Sequence, residues 1–145
     1  MRDAFGGIVN IVLVAIFLVI ISGILGLVVN YTKAFRMKNT VISAIEQYEG
    51  ASGCFGNGSA TGCQEKIQEK AKSFGYHPTE LRCPFDYTKV NDLYCYKRTS
   101  SESGKNYTYS VITQVDINIP IINRIMGLSI FQVHGETRAI KKWNR

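Results

Sequence analysis

Between Ile8 and Val29 the chain carries no charged residue, and only Asn10 and Ser22 interrupt an otherwise apolar run. At 1.5 Å rise per residue, about 22 residues reach roughly 33 Å, enough to cross a hydrocarbon core of about 30 Å. A helix buried in a small soluble core would keep a polar face, and this stretch has none. It therefore reads as a membrane span, and the remaining residues must fold as something tethered to a bilayer. The run is longer than a signal-peptide core and no small-x-small cleavage site follows, so the segment is expected to stay on the chain.

Past the span the pattern changes without a break. Ala34, Met37, Val41, Ala44 and Tyr48 recur at spacings of three and four, with Phe35, Ile42 and Ile45 widening the stripe. Lys33, Arg36, Asn39, Ser43, Glu46 and Gln47 fill the other face, and Lys38 is the one position whose long side chain must snorkel. No proline or glycine falls between residue 27 and residue 49, and Gly50 offers a stop. The spacing predicts one helix of about 42 residues, roughly 60 Å long. Its first half belongs to lipid or to a bundle of similar helices, and its second half supplies an apolar stripe to its own domain. Gly23 and Gly26 allow close helix contact in the span, and Asn10 could hydrogen-bond a neighbour there. These three, with Ala34, Met37, Val41, Ala44 and Tyr48, are the expected positions of helix packing and assembly.

Of the 145 residues, 1–30 form the span and its approach, and 31–145 make one small domain. The formal charge of +6 belongs to that domain, since Arg2 and Asp3 cancel. Such a balance suits nucleic acid, anionic lipid or an acidic polymer, but the charges are spread out, as on an ordinary soluble surface.

Cys54, Cys63, Cys83 and Cys95 all follow the span. An even count in a small domain outside the cytosol suggests two disulfides, with three possible pairings; a neighbour pattern would join Cys54 to Cys63 and Cys83 to Cys95. Zinc fits less well, because there is no CxxC knuckle and neither His77 nor His134 stands at ligand spacing from a cysteine. The cysteines and the Gly/Ser/Asn-rich stretch after Gly50 place the domain outside the cytoplasm, whereas Lys33, Arg36 and Lys38 just past the span pull the other way by the positive-inside rule.

Residues 51–61 read as a loop and 64–74 as a short helix with Ile67, Ala71 and Phe74 on one side, capped by Gly75. Residues 76–91, broken by Pro78 and Pro84, look irregular. Strands are expected at 93–98, 106–118 and 128–140, with a polar turn at 100–105 and a proline-containing apolar crossover at 119–127; the tail 141–145 is expected to fray. In the long strand Tyr107, Tyr109, Val111, Thr113, Val115 and Ile117 share one face, with Thr108, Ser110, Gln114 and Asp116 on the other, away from the helix. The fold class is α+β: a small antiparallel sheet of three to four strands that buries one face against the stripe of the long helix.

An apolar helix running into an amphipathic half, a cysteine-bearing loop and a small antiparallel sheet together resemble a type IV pilin-like subunit. The stretch Val115-Asp-Ile-Asn-Ile-Pro-Ile-Ile, then Gly127-Leu-Ser-Ile, then Gly135-Glu-Thr-Arg138 is similar to the tight-adherence (Tad) pseudopilins, in which a proline-containing apolar run precedes a last strand ending near Ser/Thr-x-Arg. The resemblance implies a structural subunit of a pilus or secretion system, with other pilin-like subunits and an assembly platform as partners. In that family a cleavage glycine is followed, five residues into the mature chain, by a glutamate that registers one subunit on the next. Here Gly7 is followed by Ile8, Val9, Asn10, Ile11 and Val12. The departure points to a minor, initiating or unprocessed subunit.

Little in the sequence suggests catalysis. His77 and His134 lack the Ser/Cys and Asp neighbours of a triad, the acids Glu65, Glu69, Glu80, Asp86 and Asp92 are scattered, and no phosphate loop or cofactor motif occurs. No enzyme activity and no cofactor are expected. The remaining candidate chemistry is binding. Tyr87, Tyr94, Tyr96, Tyr107 and Tyr109 interleave with Lys89, Lys97, Arg98 and Lys105, a pattern able to stack and neutralise single-stranded nucleic acid. Lys97, Lys105, Tyr107 and Tyr109 are the candidates. Ordinary strand packing accounts for alternating tyrosines more simply, since strand aromatics need no ligand to explain them.

Overall fold

The computed structural model describes residues 2–50, 52–55, 62–101, 104–116 and 130–141. The expected crossover at 119–127, the tail after Lys141 and most of the loop at 51–61 lie outside the described residues. In chain order the elements are α1 (Arg2–Gln47), a short 3-10 turn (Ser52–Phe55), α2 (Gly62–Phe74), β1 (Thr88–Val90), β2 (Tyr94–Ser100), β3 (Asn106–Asp116), β4 (Ile130–Glu136) and β5 (Ile140–Lys141).

The long helix is a single element, and it starts at Arg2 rather than at the first residue of the apolar run. Gly6 and Gly7 each cost about 1 kcal/mol relative to alanine in a helix, but extending an existing helix adds a hydrogen bond per residue and tolerates them. Its C-terminus is closed by a paired cap: Glu49 N–H donates to the Glu46 carbonyl at 3.3 Å and Gly50 N–H to the Ile45 carbonyl at 2.8 Å. The residue in the left-handed position of that cap is Glu49, with φ of 50°. The equivalent position in α2 is Gly75, with φ of 59°, where glycine avoids the steric cost. There Gly75 and Tyr76 N–H groups donate to Lys72 and Ala71.

All strand pairs are antiparallel, in the order β1-β2-β3-β4, with β5 also on β3. The expected last strand is thus two strands on the same edge. Ser110 faces Glu136 and Tyr107 faces Ile140, so three residues of one strand oppose two of the other. Thr137 manages the bulge: its N–H donates to the Tyr109 carbonyl at 2.9 Å, and its hydroxyl oxygen accepts the Tyr109 N–H at 3.0 Å. The Arg138 N–H, turned out of the ladder, donates to the Glu46 carboxylate of α1 at 2.7 Å. Another addition is β1, inside the stretch expected to be irregular. It joins β2 through Asn91 and Asp92, both at positive φ, with Leu93 N–H donating to the Val90 carbonyl. Such mirror-image turns match the twist of a hairpin.

The core forms where the stripe of α1 crosses β3. Ala34, Met37, Val41, Ala44 and Ile45 are buried with Tyr109, Val111, Val115 and Val133 from the sheet and Cys63, Ile67 and Ala71 from α2. Each large apolar side chain buried this way contributes roughly 1.5–3 kcal/mol. Close approach has specific causes. The Thr113 hydroxyl donates to the Ala34 carbonyl at 2.9 Å, and a Cβ at Gly135 would stand 2.7 Å from both Ile42 Cδ1 and Lys38 Cδ. Phe35, expected to widen the stripe, points out instead and is 41% exposed.

The opposite face of the sheet is covered too, which the alternation alone did not indicate. Leu81, Cys95 and Ile112 form a second small core with Cys83 and Tyr87. Gln114, expected to face solvent, is 1% exposed. Its side chain donates to the Glu80 carbonyl and the Asp116 carboxylate and accepts the Arg82 N–H at 2.9 Å. The Tyr76 hydroxyl meanwhile donates to the Gln114 carbonyl and accepts its N–H, standing in for a missing strand partner. Two neighbour disulfides, Cys54–Cys63 and Cys83–Cys95, staple the two sides. Closing loops of 9 and 12 residues stabilises by about 3 kcal/mol each in the chain-entropy picture.

Candidate functional site

Three regions can be compared with what the sequence suggested. The first is the apolar half of α1. It is long and apolar enough to cross a membrane, and none of its most apolar window is buried against the rest of the chain. From Ile8 to Val29 every large apolar side chain except Leu27, which touches the core, is exposed. Asn10 and Gly26 are exposed and Gly23 is half-exposed, and a Cβ at either glycine would meet nothing within 4 Å. These positions are thus open to lipid or to another helix. Ala34, Met37, Val41 and Ala44 are committed to the domain's own core, and Tyr48 is half-buried against it.

The second region is the tyrosine-rich end of the sheet, at the far end of the domain from the span. Phe55 stacks on Tyr96 at 4.2 Å and on Tyr109 at 5.0 Å between ring centroids. With Asp86, Lys97 and Arg98 these rings border an open trough of about 680 Å³. Much of its apparent chemistry is already used. Tyr109 is buried and directs its hydroxyl towards the Gly50 carbonyl. Lys97 pairs with Asp86 at 3.2 Å, and the Arg98 guanidinium lies 4.9 Å from the centroid of the Tyr107 ring. Lys105 is exposed in the β2–β3 turn and does not border the trough. Of the four ligand candidates, the trough gathers Lys97 and Tyr109. Phe55, which completes the stack, is the first residue inside the loop closed by Cys54 and Cys63 and carried no signal of its own in the sequence.

Burial governs the ionisation of the inner tyrosines. Desolvation pushes the Tyr76 hydroxyl up to about 12; the backbone hydrogen bond at Gln114 works against the shift and the nearby Asp116 charge adds to it. Burial raises Tyr94 further, and its hydroxyl donates to the Cys54 carbonyl beside the first disulfide. Tyr109 is raised for the same reason, with Arg98 opposing. These are structural hydroxyls held neutral. Among the described residues no three His, Cys, Asp or Glu side chains converge as a metal site would require.

The third region lies where α1 leaves the apolar run. Tyr31 and Phe35 stack at 6.3 Å, and Phe131 of β4 meets Tyr31 at 6.3 Å from the side. All three are exposed. Two aromatics one helical turn apart, just after a span, are a signal available in the sequence; the meeting with Phe131 is not, because it depends on sheet register.

What these regions define is a class by architecture: an α+β domain with two disulfides, built on the second half of an apolar N-terminal helix. No protein-family model, curated protein or solved structure matches the chain.

Proposed function

We propose that this chain is a membrane-anchored structural subunit of the pilin-like kind, a minor pseudopilin of a Tad or type IV-like pilus or secretion system. The observation that carries the reading is the division of labour along α1. One unbroken helix offers an unoccupied apolar half and spends its other half as the core of a small disulfide-bonded domain. The buried polar groups around Gln114 are engaged in holding the sheet and its covering segment together. The reading makes α1 an anchor that can move sideways from lipid into a helix bundle with other pilin-like subunits. Two disulfides favour an extracytoplasmic domain, since such bonds persist in oxidising compartments. The cations after the span then serve the domain side of the helix.

Gly23→Cys tests assembly, because both native pairs are closed and the new thiol stands free on the span. A thiol-reactive benzophenone attached there should, on illumination in native membranes, crosslink this chain to its partner subunits. A chain that stays monomeric under conditions that crosslink a known helix dimer would contradict the reading.

The trough supports a second reading, a tethered binding module for single-stranded DNA or another anionic surface ligand, since aromatic edges and cations meet there. A salt-dependent shift with single-stranded DNA, lost in Lys97→Ala and Arg98→Ala, would favour it. No shift at low salt would end it.

A further inference from the structure

We infer that the domain makes a second, direct contact with the lipid surface from which α1 emerges, through Tyr31, Phe35 and Phe131. The inference rests on the membrane reading of α1 and adds where the domain sits on the bilayer. Three observations combine. The exposed apolar side chains do not stop at Val29 but continue up one face of the helix through Tyr31 and Phe35. Phe131, half exposed on β4, joins that face by its contact with Tyr31, so the patch belongs to both the helix and the sheet. One cation lies on it, Lys38, whose ammonium stands 4.2 Å from the centroid of the Phe35 ring; Arg36, exposed, and Lys33, half-buried on the Gly75 side, stand at the same height on other faces of α1.

Aromatic rings concentrate at headgroup level because one part of that layer is apolar and the other wet, and cations there meet lipid phosphates. Distances allow it. Tyr31 stands about 3 Å and Phe35 about 9 Å beyond Val29 along the axis, against a headgroup layer of roughly 5–7 Å. A tilt of about 20°, ordinary for a span, towards the patch lowers Phe35 and Phe131 into the layer. Among the described residues at this end, Glu80 pairs with Arg82 and Asp116 accepts hydrogen bonds from the Thr79 N–H and the Gln114 amide, so Lys33, Arg36 and Lys38 outnumber the one acid without an ion pair. A lipid surface suits the patch better than a second copy of the chain, because the patch is continuous with the span and can be covered without leaving the bilayer.

Tryptophan fluorescence of the full chain in vesicles tests this. In a Trp143→Phe background, which removes the single native tryptophan, Phe131→Trp reports on the patch and Phe85→Trp on a fully exposed position distant from it. Vesicles of phosphatidylcholine with phosphatidylglycerol, brominated high on the acyl chain, should quench and blue-shift Phe131→Trp and leave Phe85→Trp unchanged. Lys38→Gln should reduce the quenching in anionic vesicles more than in pure phosphatidylcholine. A Phe131→Trp chain that floats with vesicles yet is not quenched overturns the contact while α1 remains an anchor. A chain that does not float overturns both. A blue shift that grows with protein density and is not quenched by brominated lipid assigns the patch to a second copy, and also overturns the inference.

Discussion

The two halves of α1 obey the same helical geometry and reach opposite ends. From Ile8 to Val29 apolar side chains point in every direction and all but Leu27 find nothing in the chain to pack on; beyond it Ala34, Met37, Val41, Ala44 and Ile45 share one face and are almost fully buried, with Phe35 alone turned out. Nothing in the backbone marks the change, since the helix crosses it without a break. The difference lies in which positions are polar. A helix apolar all round satisfies its backbone internally and needs a solvent of its own kind, whereas a striped helix needs a sheet. The lesson is that domain stability and membrane retention should be separable along one helix.

Substitutions can break that separation, and the largest effect is expected from the stripe. Met37→Ala should destabilise the domain by about 2–5 kcal/mol in chemical denaturation, since Met37 is wholly enclosed, while Leu18→Ala should leave the same transition unmoved. An arginine in the span should do the reverse. Leu18→Arg costs about 3–4 kcal/mol of membrane insertion, read as a smaller share of the chain in the membrane fraction, with the domain's near-ultraviolet circular dichroism retained. Opening the Cys54–Cys63 bond by the double Cys→Ser change should lower domain stability by about 3 kcal/mol without altering membrane retention.

Alkaline pH gives a milder probe of the domain alone. Tyr76 has its folded value raised above the usual 10, so the neutral form is favoured in the native state. Its contribution is complete below about pH 10 and is lost as pH rises through about 12, a fall of roughly 2–3 kcal/mol that Tyr76→Phe should flatten. The smallest effect concerns the helix ends. Glu49→Gly should stabilise by about 1 kcal/mol by relieving the left-handed conformation at the end of α1, and Gly75→Ala should cost a similar amount at the end of α2.

The long helix, its stripe and the three main strand regions were legible because hydrophobic period reports burial directly. The hairpin of β1 was not: Asn91-Asp92 carries the turn without the glycine that usually advertises it. Gln114 misled for a different reason. Alternation assigned it to the wet face, but the chain from Tyr76 to Cys83 folds over that face and satisfies each of its polar groups. The bulge at Thr137 was equally hidden, since a hydroxyl replacing a ladder partner leaves no periodic trace. The candidate site divided the same way. Tyrosines and cations alternate visibly along the sequence, but whether they face a ligand or one another is settled by register, which pairs Arg98 with Tyr109 and brings Phe131 to Tyr31.

The claim at the centre is that one continuous helix lies first in lipid and then in its own domain. A scan of single spin labels from residue 8 to residue 48 in reconstituted vesicles measures it, using collision with oxygen and with a water-soluble nickel chelate. The account predicts an oxygen excess on every face up to Val29, then an abrupt change to helical periodicity, with Ala34, Met37, Val41 and Ala44 shielded from both reagents. Nickel access on any face between Val12 and Leu25, or loss of helical periodicity between Val28 and Met37, would contradict it.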